Sequence, residues 1–411
     1  MARIKYKRIF LIVADSMGAG YAPDADRFFN GKENDWGSNT IVHISEKMPN
    51  GLSVPNMEKL GFGLLGNIKG VKPQAETNHS YIFKSMEKSN GKDTMTGHWE
   101  MMGIETKVPF KTFTDTGFPK ELIDLLEERT GHKVIGNCAA SGTEIIKELG
   151  EEQMRDNSLI VYTSSDSVLQ IAAHEEATGL QELYRCCEIA REICMKPEWM
   201  VGRIIARPYV GTNKDNFKRT SNRHDLALRP SIPTAMNVLQ DHGFTTSCIG
   251  KISDIFDGYG VTKTQKTVSN EDGMDKTIAE LDVDFEGLCF VNLVEFDSEY
   301  GHRRNPIGYG EAIERFDKRV GEFIAKMRKD DLLIITADHG NDPTWAGTDH
   351  TRELIPLIVY SPSLINPNPN QEYAQSDCFG NMGATILENF GLKMPDNLIG
   401  KPMEFLLNNK D

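Results

Sequence analysis

The sequence lacks the features that mark membrane-spanning, secreted and nucleic-acid-binding proteins. No apolar run approaches the roughly 20 residues that a helix needs to cross a bilayer. The apolar run at residues 9–14 ends at Asp15, which makes it too short for a secretory signal. The seven cysteines include no Cys-x-x-Cys pair and no spacing typical of a disulfide framework. These absences predict a cytoplasmic protein with reduced thiols.

Positive charge is also scarce. Lys and Arg number 46 against 60 Asp and Glu, so the formal net charge is −14. A surface of this sign repels phosphate backbones and anionic lipids, so we expect neither nucleic acid nor membrane as a partner. A phosphorylated ligand would need a local basic pocket or a metal ion.

The hydrophobic pattern predicts an α/β protein. With 411 residues the chain is long enough for two domains. Short apolar runs rich in β-branched residues predict buried parallel strands at 9–14, 159–162, 288–293, 332–336 and 354–360. Apolar residues at helical spacing predict helices at 119–129, 180–194, 233–239 and 313–327. Strands that alternate with helices are typical of the α/β class.

Acidic residues stand where three of the predicted strands end. Asp15, Asp297 and Asp338 follow strands from opposite ends of the chain. Ligands of α/β sheets bind outside the carboxyl ends of their strands, so the three side chains are expected at one site. One site built from both ends of the chain predicts that the middle is inserted. We therefore expect a core domain at 1–109 and 228–411, and an inserted domain at 110–227.

Histidines accompany these carboxylates. His339 follows Asp338 directly, His350 comes eleven positions later, and His302 lies five positions after Asp297. Carboxylates and imidazoles without a thiolate suit Mn²⁺ or Zn²⁺, and a set of six favours two ions. Any one of these residues alone could be an ordinary turn residue. Six at three strand ends indicate a two-metal site of the kind that stabilises phosphoryl displacement.

A hydroxyl beside two metal ions can attack phosphorus. Thr94 lies in a polar, glycine-punctuated segment at 92–100 that is flanked by nothing strongly helical and that we interpret as extended. In an extended segment Thr94 and Thr96 point to the same side, so spacing does not choose between them. On spacing alone, Thr94 and Thr96 are better interpreted as hydroxyls of a loop or a helix cap than as a catalytic nucleophile.

Several other polar residues are predicted to have structural roles. Arg219 and Arg223 are expected on a solvated surface, and His174 is expected to make structural contacts. Cys186 and Cys187 lie on an amphipathic pattern and are expected in the core of a helix rather than as redox groups.

Six ordered segments carry a resemblance that covers nearly the whole chain: VADSMGAGYAPDA, GKDTMTGHWE, YTSSDSVLQIAAHEE, NRHD, NLVEFDSEYGHRR and TADHGNDPTWAGTDHTRE. Together they resemble the bacterial type of phosphopentomutase, a family of the alkaline phosphatase superfamily related to cofactor-independent phosphoglycerate mutase. The resemblance implies an alkaline-phosphatase-like core, with a mostly parallel sheet flanked by helices, and a smaller inserted α/β cap.

The resemblance also implies roles for individual residues. One metal ion would be held by Asp15, Asp338 and His339. The other would be held by Asp297, His302 and His350. Thr94 would reach both ions as the phosphorylated residue. The implied substrate-binding residues are Ser164, Asp166, Arg203 and Arg207 in the cap and Lys251 in the core.

The implied reaction is the interconversion of ribose 1-phosphate and ribose 5-phosphate, and of the 2-deoxyribose pair, through a phosphothreonine and a sugar bisphosphate. Two divalent ions, Mn²⁺ above all, would be the cofactors, and glucose 1,6-bisphosphate or a pentose bisphosphate would be the activator. Sugar phosphates are the expected partners, and a monomer is expected rather than an obligate oligomer.

Three alternatives remain open. A phosphatase or phosphodiesterase of the same superfamily would release the phosphoryl group to water. A phosphoglycerate mutase would use a serine nucleophile. A catalytically inactive sugar-phosphate sensor would have lost ligands, whereas all six and Thr94 are present.

Overall fold

The computed structural model describes residues 6–164 and 167–407. Its strands in chain order are β1 (Arg8–Ala14), β2 (Phe29–Asn30), β3 (Glu33–Asn34), β4 (Ser80–Ser85), β5 (Val134–Ala139), β6 (Leu159–Thr163), β7 (Val168–His174), β8 (Arg203–Val210), β9 (Lys218–Arg219), β10 (His224–Ala227), β11 (Thr245–Ile249), β12 (Lys263–Gln265), β13 (Gly287–Leu293), β14 (Asp331–Thr336) and β15 (Ile355–Tyr360). Its helices are α1 (Thr40–Lys47), α2 (Pro55–Leu60), α3 (Thr94–Met101), α4 (Lys120–Thr130), α5 (Gly142–Asp156), α6 (Leu180–Ile193), α7 (Ala235–Asp241), α8 (Ile252–Ile255), α9 (Asn270–Glu280), α10 (Pro306–Lys326) and α11 (Gly380–Asn389).

The chain divides into two compact units. One, called the core unit below, comprises residues 1–108 and 230–411, and the other, called the second unit, comprises residues 109–229. The second unit is therefore inserted in sequence between the two segments of the core unit.

The core unit contains a seven-stranded sheet in the order β12-β11-β13-β1-β14-β15-β4. Strands β12, β11, β13, β1 and β14 are parallel, so their carboxyl ends lie at one edge. Every residue of β1, β13 and β14 is buried. Strands covered on both faces carry continuous apolar runs, which is why the sequence pattern locates them within a residue or two.

The second unit has its own sheet, in the order β10-β8-β7-β6-β5, with β9 paired to β8. Helix α6 packs on this sheet and contributes Cys186 and Cys187 to a core cluster with Leu159, Val161 and Ile204. The strand predicted at 159–162 corresponds to β6.

The α/β class is confirmed, but the expected strand direction is wrong at two places. Strand β15 is antiparallel to both of its neighbours, β14 and β4. Strand β6 is parallel to β5 but antiparallel to β7. A buried apolar run reveals burial on both faces, and it carries no information about the direction of the partner strand.

Two helix predictions need correction. Helix α10 begins at Pro306, earlier than the expected residue 313, because Asn305 accepts a hydrogen bond from Gly308 N and Pro306 occupies the first helical position. The segment expected to be non-helical at 92–100 contains helix α3, which starts at Thr94.

In the described part of the chain, none of the helices combines the length and the apolar character that a bilayer crossing requires.

Candidate active site

Three neighbouring strands of the core sheet carry the predicted acidic residues. Asp15 follows β1 directly, Asp338 lies two residues after β14, and Asp297 lies four residues after β13, as the second residue of a π-helical turn. Strand β1 lies between β13 and β14 in the sheet. The parallel arrangement therefore brings the three carboxylates together at the edge formed by the carboxyl ends.

A first cluster consists of Asp15, Asp338 and His339, whose ligand atoms all lie within 4.8 Å of one another. His339 Nε2 is 3.6 Å from Asp15 Oδ1 and 3.3 Å from Asp338 Oδ2. The three residues are almost fully buried. The structure thus groups the three residues that the resemblance assigns to one metal ion.

A second cluster adjoins the first. Asp297 and His350 form a group with His339 in which the ligand atoms lie within 4.8 Å of one another. His302 Nε2 lies 3.1 Å from Asp297 Oδ2 and 3.1 Å from His350 Nε2. The rings of His339 and His350 stack at 3.8 Å, so His339 lies between the two clusters.

Backbone carbonyls set the orientation of two of the histidines. Nδ1 of His302 contacts the carbonyl of Thr348 at 2.8 Å, and Nδ1 of His339 contacts the carbonyl of Gly340 at 3.0 Å. A carbonyl can only accept, so in both rings Nδ1 carries the hydrogen. Nε2 is then the nitrogen available to a metal ion, and this arrangement is usual for metal-binding histidines.

Hydrogen bonds from neighbouring residues also orient two of the carboxylates. Ser16 N donates to Asp338 Oδ1 at 3.0 Å. Asn341 Nδ2 donates to Asp297 Oδ1 at 2.7 Å, and Arg304 in turn donates to Asn341 Oδ1 at 2.9 Å. These contacts help to hold the carboxylates of Asp338 and Asp297 in place.

The electrostatics of the clusters favour a cation. Burial raises the pKa of Asp15 well above its usual range, and the charges of Asp338 and Asp297 raise it further. Burial also acts on Asp338, but the neighbouring His339 and His98 outweigh it and bring the pKa of Asp338 to about 2. Burial lowers the pKa of His339, which favours the neutral ring that a metal ion requires.

Two buried oxygens provide a test of whether the residues fit a metal ion. Asp15 Oδ1 and Asp338 Oδ2 have no hydrogen-bond partner among the described residues, although burial of an unsatisfied carboxylate oxygen is costly. Both oxygens face His339 Nε2. Oxygen and imidazole donors without a thiolate suit Mn²⁺ or Zn²⁺, so the cluster fits a divalent cation.

The structure separates the two candidate hydroxyls. Thr94 Oγ1 lies 3.2 Å from His339 Nε2, and Thr94 is only partly buried. Thr96 is fully buried, and its hydroxyl donates to Asp93 Oδ2 at 2.5 Å. Because the segment is a helix with Asp93 as its N-cap, the two threonines do not point to the same side. Only Thr94 faces the metal-ligand clusters.

The predicted substrate-binding residues are divided between the two units. Lys251 lies in the core unit after β11. Its positive charge acts against the other causes that raise the pKa of Asp15, but the pKa of Asp15 remains raised overall. Ser164 lies at the end of β6, where its carbonyl accepts from Thr114 Oγ1 at 2.8 Å. Asp166 lies outside the described residues.

Arg203 and Arg207 lie on β8 in the second unit. Arg207 Nε donates to Gln170 Oε1 at 2.9 Å. Burial and the nearby charges of Arg223 and Arg219 lower the pKa of Arg207 to about 10. Arg219 and Arg223 are exposed, as the solvated-surface interpretation predicts, and their charges also act on Arg207. The second unit therefore contains a group of arginines near one another, in which Asp225 forms an ion pair with Arg223.

His174 and the two adjacent cysteines have structural surroundings. His174 Nε2 contacts the carbonyl of Gly211 at 2.8 Å, and Nδ1 accepts from the backbone N–H groups of Glu176 and Ala177. Cys186 and Cys187 are fully buried, and all seven cysteines, which lie within the described ranges, are free thiols.

Comparison with known proteins gives the family. A family model described as the metalloenzyme superfamily matches residues 7–394. A phosphopentomutase of Clostridium beijerinckii is 55% identical over 397 residues, which cover 97% of this chain and 98% of the relative. The phosphopentomutase of Clostridium botulinum is 56% identical with the same coverage. This chain belongs to the phosphopentomutase family. As a phosphopentomutase it is an enzyme of the isomerase class, and the resemblance stated from the sequence is confirmed.

Two solved structures resemble this chain at much lower sequence identity. A phosphoglycerate mutase of Leishmania mexicana is 10% identical with a TM-score of 0.46, covering 100% of this chain and 98% of that chain. An alkaline phosphatase is 13% identical with a TM-score of 0.38, covering 96% of this chain and 100% of that chain.

Four polar residues of the site were not predicted from the sequence: His98, Asn292, Arg304 and Asn341. Asn292 is detectable in retrospect, because it interrupts the apolar run of β13 one residue before its end. His98 belongs to the same motif as Thr94. Arg304 has a φ of 52°, a left-handed conformation that is uncommon for arginine, but the sequence does not reveal it.

Proposed function

We propose that this enzyme interconverts ribose 1-phosphate and ribose 5-phosphate, and the corresponding 2-deoxyribose phosphates, with Thr94 as the phosphoryl carrier. The observation that carries this proposal is the partly exposed Thr94 hydroxyl 3.2 Å from His339 Nε2, beside two groups of metal-competent side chains. The printed names of the relatives support the reaction class.

The clusters supply ligands for two ions. Asp15, Asp338 and His339 would hold one ion, and Asp297, His302 and His350 would hold the other, with Mn²⁺ as the proposed metal. Bound divalent cations would lower the pKa of the attacking hydroxyl and stabilise negative charge on the transferring group.

Helix α3 suits Thr94 to its proposed task. Thr94 occupies the first position of the helix, after the N-cap Asp93. Backbone N–H groups and the helix dipole favour negative charge at this end, so a phosphate on Thr94 would be stabilised there. Thr96 Oγ1 is held by Asp93, which leaves Thr94 as the hydroxyl available for transfer.

The proposed cycle conserves the phosphoryl group. Phosphothreonine 94 transfers its phosphoryl group to the free hydroxyl of a sugar monophosphate, so that the bond from phosphorus to the threonine oxygen breaks and a bond to the sugar oxygen forms. The resulting bisphosphate returns its other phosphoryl group to Thr94. Glucose 1,6-bisphosphate or a pentose bisphosphate would start the cycle by phosphorylating Thr94.

Substrate orientation is proposed to come from residues of both units. We assign Arg203 and Arg207 to the phosphate, because a guanidinium group binds phosphate oxygens through paired N–H donors. Arg207 lies near the charges of Arg223 and Arg219 as well as that of Asp225, and a phosphate bound there would add a favourable contact to the guanidinium groups. Lys251, Ser164 and Asp166 would complete the contacts, and the 109–229 unit would act as the cap. We further propose a cytoplasmic monomer whose partners are sugar phosphates.

A product analysis tests the reaction. The purified enzyme is incubated with Mn²⁺, ribose 5-phosphate and catalytic glucose 1,6-bisphosphate, and the sugar phosphates are separated from inorganic phosphate. We expect ribose 1-phosphate to form without accumulation of inorganic phosphate. Release of inorganic phosphate without ribose 1-phosphate would indicate a phosphatase, and turnover of 3-phosphoglycerate instead of pentose phosphates would indicate a phosphoglycerate mutase.

Two matched variants test the carrier. Thr94→Ala should lose turnover while it still binds two metal ions, because the six ligand side chains remain. Thr96→Ala should keep substantial activity, since its hydroxyl is directed at Asp93. Full turnover by Thr94→Ala would contradict the proposal.

A further inference from the structure

His98 is a buried histidine directly behind the site. It lies on α3, four residues after Thr94, and is 0% exposed. Its Nδ1 is 2.8 Å from the carbonyl oxygen of Thr94 and 3.3 Å from Asp338 Oδ2. One ring nitrogen thus contacts both the backbone of the proposed carrier and a carboxylate of the first cluster.

The other ring nitrogen leads to a second carboxylate. His98 Nε2 is 3.3 Å from Asn292 Nδ2, and the same Asn292 nitrogen donates to Asp15 Oδ2 at 2.9 Å. Asn292 is fully buried on β13. His98 therefore reaches Asp338 directly and Asp15 through one amide group.

The partners assign the hydrogens of this network. A carbonyl oxygen only accepts, so Nδ1 of His98 carries a hydrogen and donates it to Thr94 O, while Asp338 Oδ2 lies 3.3 Å from the same nitrogen. An amide nitrogen has two hydrogens, so Asn292 donates one to Asp15 Oδ2 and the other to His98 Nε2. With this assignment, each hydrogen bond of the network has one donor and one acceptor.

We propose that His98 and Asn292 are positioning residues that fix the first turn of α3 relative to Asp15 and Asp338. This inference rests on the proposed role of Thr94 as phosphoryl carrier. The hydroxyl of Thr94 can face the metal clusters only if the helix backbone keeps its distance from the carboxylates. Neither residue touches the reacting atoms, so both act through the placement of Thr94 and of the metal ligands.

Two substitutions of His98 separate its two nitrogens. His98→Asn retains a side-chain amide at the position of Nδ1, so it keeps the contact with Thr94 O and loses the contact with Asn292. His98→Gln retains a polar group at the position of Nε2, so it keeps the contact with Asn292 and loses the donor to Thr94 O. The two variants have the same side-chain chemistry and differ in the contact that they preserve.

The measurements are metal content, midpoint of thermal unfolding of the metal-free protein, kcat and KM for ribose 5-phosphate, and the single-turnover rate of Thr94 phosphorylation by glucose 1,6-bisphosphate. For His98→Gln we expect two bound metal ions, KM within about threefold of wild type and a phosphorylation rate about 100-fold lower, the loss typical of a 1 Å misplacement. For His98→Asn we expect a phosphorylation rate within about fivefold of wild type.

Asn292→Ser provides an independent variant, because it leaves His98 in place and removes the amide that donates directly to Asp15 Oδ2. Partners behind metal ligands typically contribute 10–100-fold to metal affinity or activity, so we expect a loss of that size in Mn²⁺ affinity or in the phosphorylation rate. This variant tests the inference even if the His98 variants do not fold.

Each result has a defined reading. Phosphorylation at the wild-type rate in both His98→Gln and Asn292→Ser would overturn the inference. So would equal losses in His98→Asn and His98→Gln that follow their thermal midpoints, because the network would then only support the fold. If the wild-type enzyme turns over without phosphate on Thr94, the proposed function itself fails, and the inference falls with it.

Discussion

Gly97 offers a sharp test of how closely helix α3 must approach the metal ligands. A Cβ atom at this position would lie 2.3 Å from the backbone carbonyl oxygen of Asp338. The partner atom is backbone, and Asp338 is fully buried, so the contact cannot be relieved by rotation of a side chain. Gly97→Ala must therefore move α3 away from β14.

The size of the displacement follows from the distances. Close C···O contacts in proteins lie at about 3.3 Å, against the 2.3 Å that an alanine here would have, so α3 must shift by about 1 Å. Alanine favours a helix over glycine by about 1 kcal/mol, whereas overpacking costs about 1–3 kcal/mol, so the net loss of stability is about 1 kcal/mol. A 1 Å misplacement of a reacting group can cost about 100-fold in rate.

The assay compares these two magnitudes in the same protein. Urea unfolding gives the free energy of unfolding, and acid-quenched single turnovers with glucose 1,6-bisphosphate give the rate of Thr94 phosphorylation. Gly66→Ala is the control, because the added Cβ there meets only one methyl group of Val42, at 3.2 Å. We expect a large loss of rate with a small loss of stability in Gly97→Ala, and little change in the control. A Gly97→Ala enzyme that phosphorylates Thr94 within threefold of the wild-type rate would refute the reasoning.

Three further predictions concern stability. His43 Nδ1 pairs with Asp342 Oδ2 at 2.5 Å, and the hydrogen bond raises the pKa of His43 while it lowers that of Asp342 against the effect of burial. The ion pair stabilises the fold when His43 is protonated and Asp342 is ionised, that is, between the unfolded pKa of aspartate and the unfolded pKa of histidine. This stabilisation disappears as the pH rises through the raised pKa of folded His43. His43→Phe should thus lose about 1 kcal/mol at pH 6, because the pair is partly exposed, and much less at pH 9, as measured by urea unfolding of the metal-free protein. Arg352→Met leaves Glu87 buried without the guanidinium that contacts it at 2.7 Å, so urea unfolding should show a loss of about 3–5 kcal/mol. Chelation should lower the thermal midpoint, and Mn²⁺ at 100 times its dissociation constant should restore about 2.7 kcal/mol per site in calorimetry.

The central strands were accessible from the sequence because burial on both faces leaves a continuous apolar run. Strands β1, β13 and β14 were located in this way. Strand β8 was not, since Arg203, Arg207 and Pro208 interrupt its apolar residues. Strand β5 was missed because all of its residues are partly exposed or exposed. Apolar runs thus reveal strands that are apolar along their whole length, and they overlook strands that include polar residues, whether these lie inside a sheet, as β8 does, or at its edge, as β5 does.

The metal-competent residues were accessible for a related reason. Parallel strands deliver the residues at their carboxyl ends to one edge, so Asp15, Asp297 and Asp338 could be brought together before any coordinates were known. The grouping of each histidine with its carboxylate came from the resemblance, because side-chain distances are set by loops such as the one between His339 and His350.

Helix α3 could not be predicted from local pattern. Its residues include two threonines and a glycine, which are weak helix formers, and every residue from Met95 to Met101 is buried, so there is no polar face to give a helical period. Asp93 as N-cap and the close packing of Gly97 against Asp338 hold the helix in place. Tertiary contacts therefore decide the structure of the segment that carries Thr94.

The location of phosphate on the enzyme during turnover tests the central claim most directly. The enzyme is mixed with Mn²⁺ and glucose 1,6-bisphosphate, quenched in acid with and without ribose 5-phosphate, and examined by intact mass and fragment-ion spectra. The account predicts one phosphate per chain, located on Thr94, whose occupancy falls when ribose 5-phosphate is added. Phosphate on Thr96, or rapid turnover with no phosphate on the chain at any time, would contradict it.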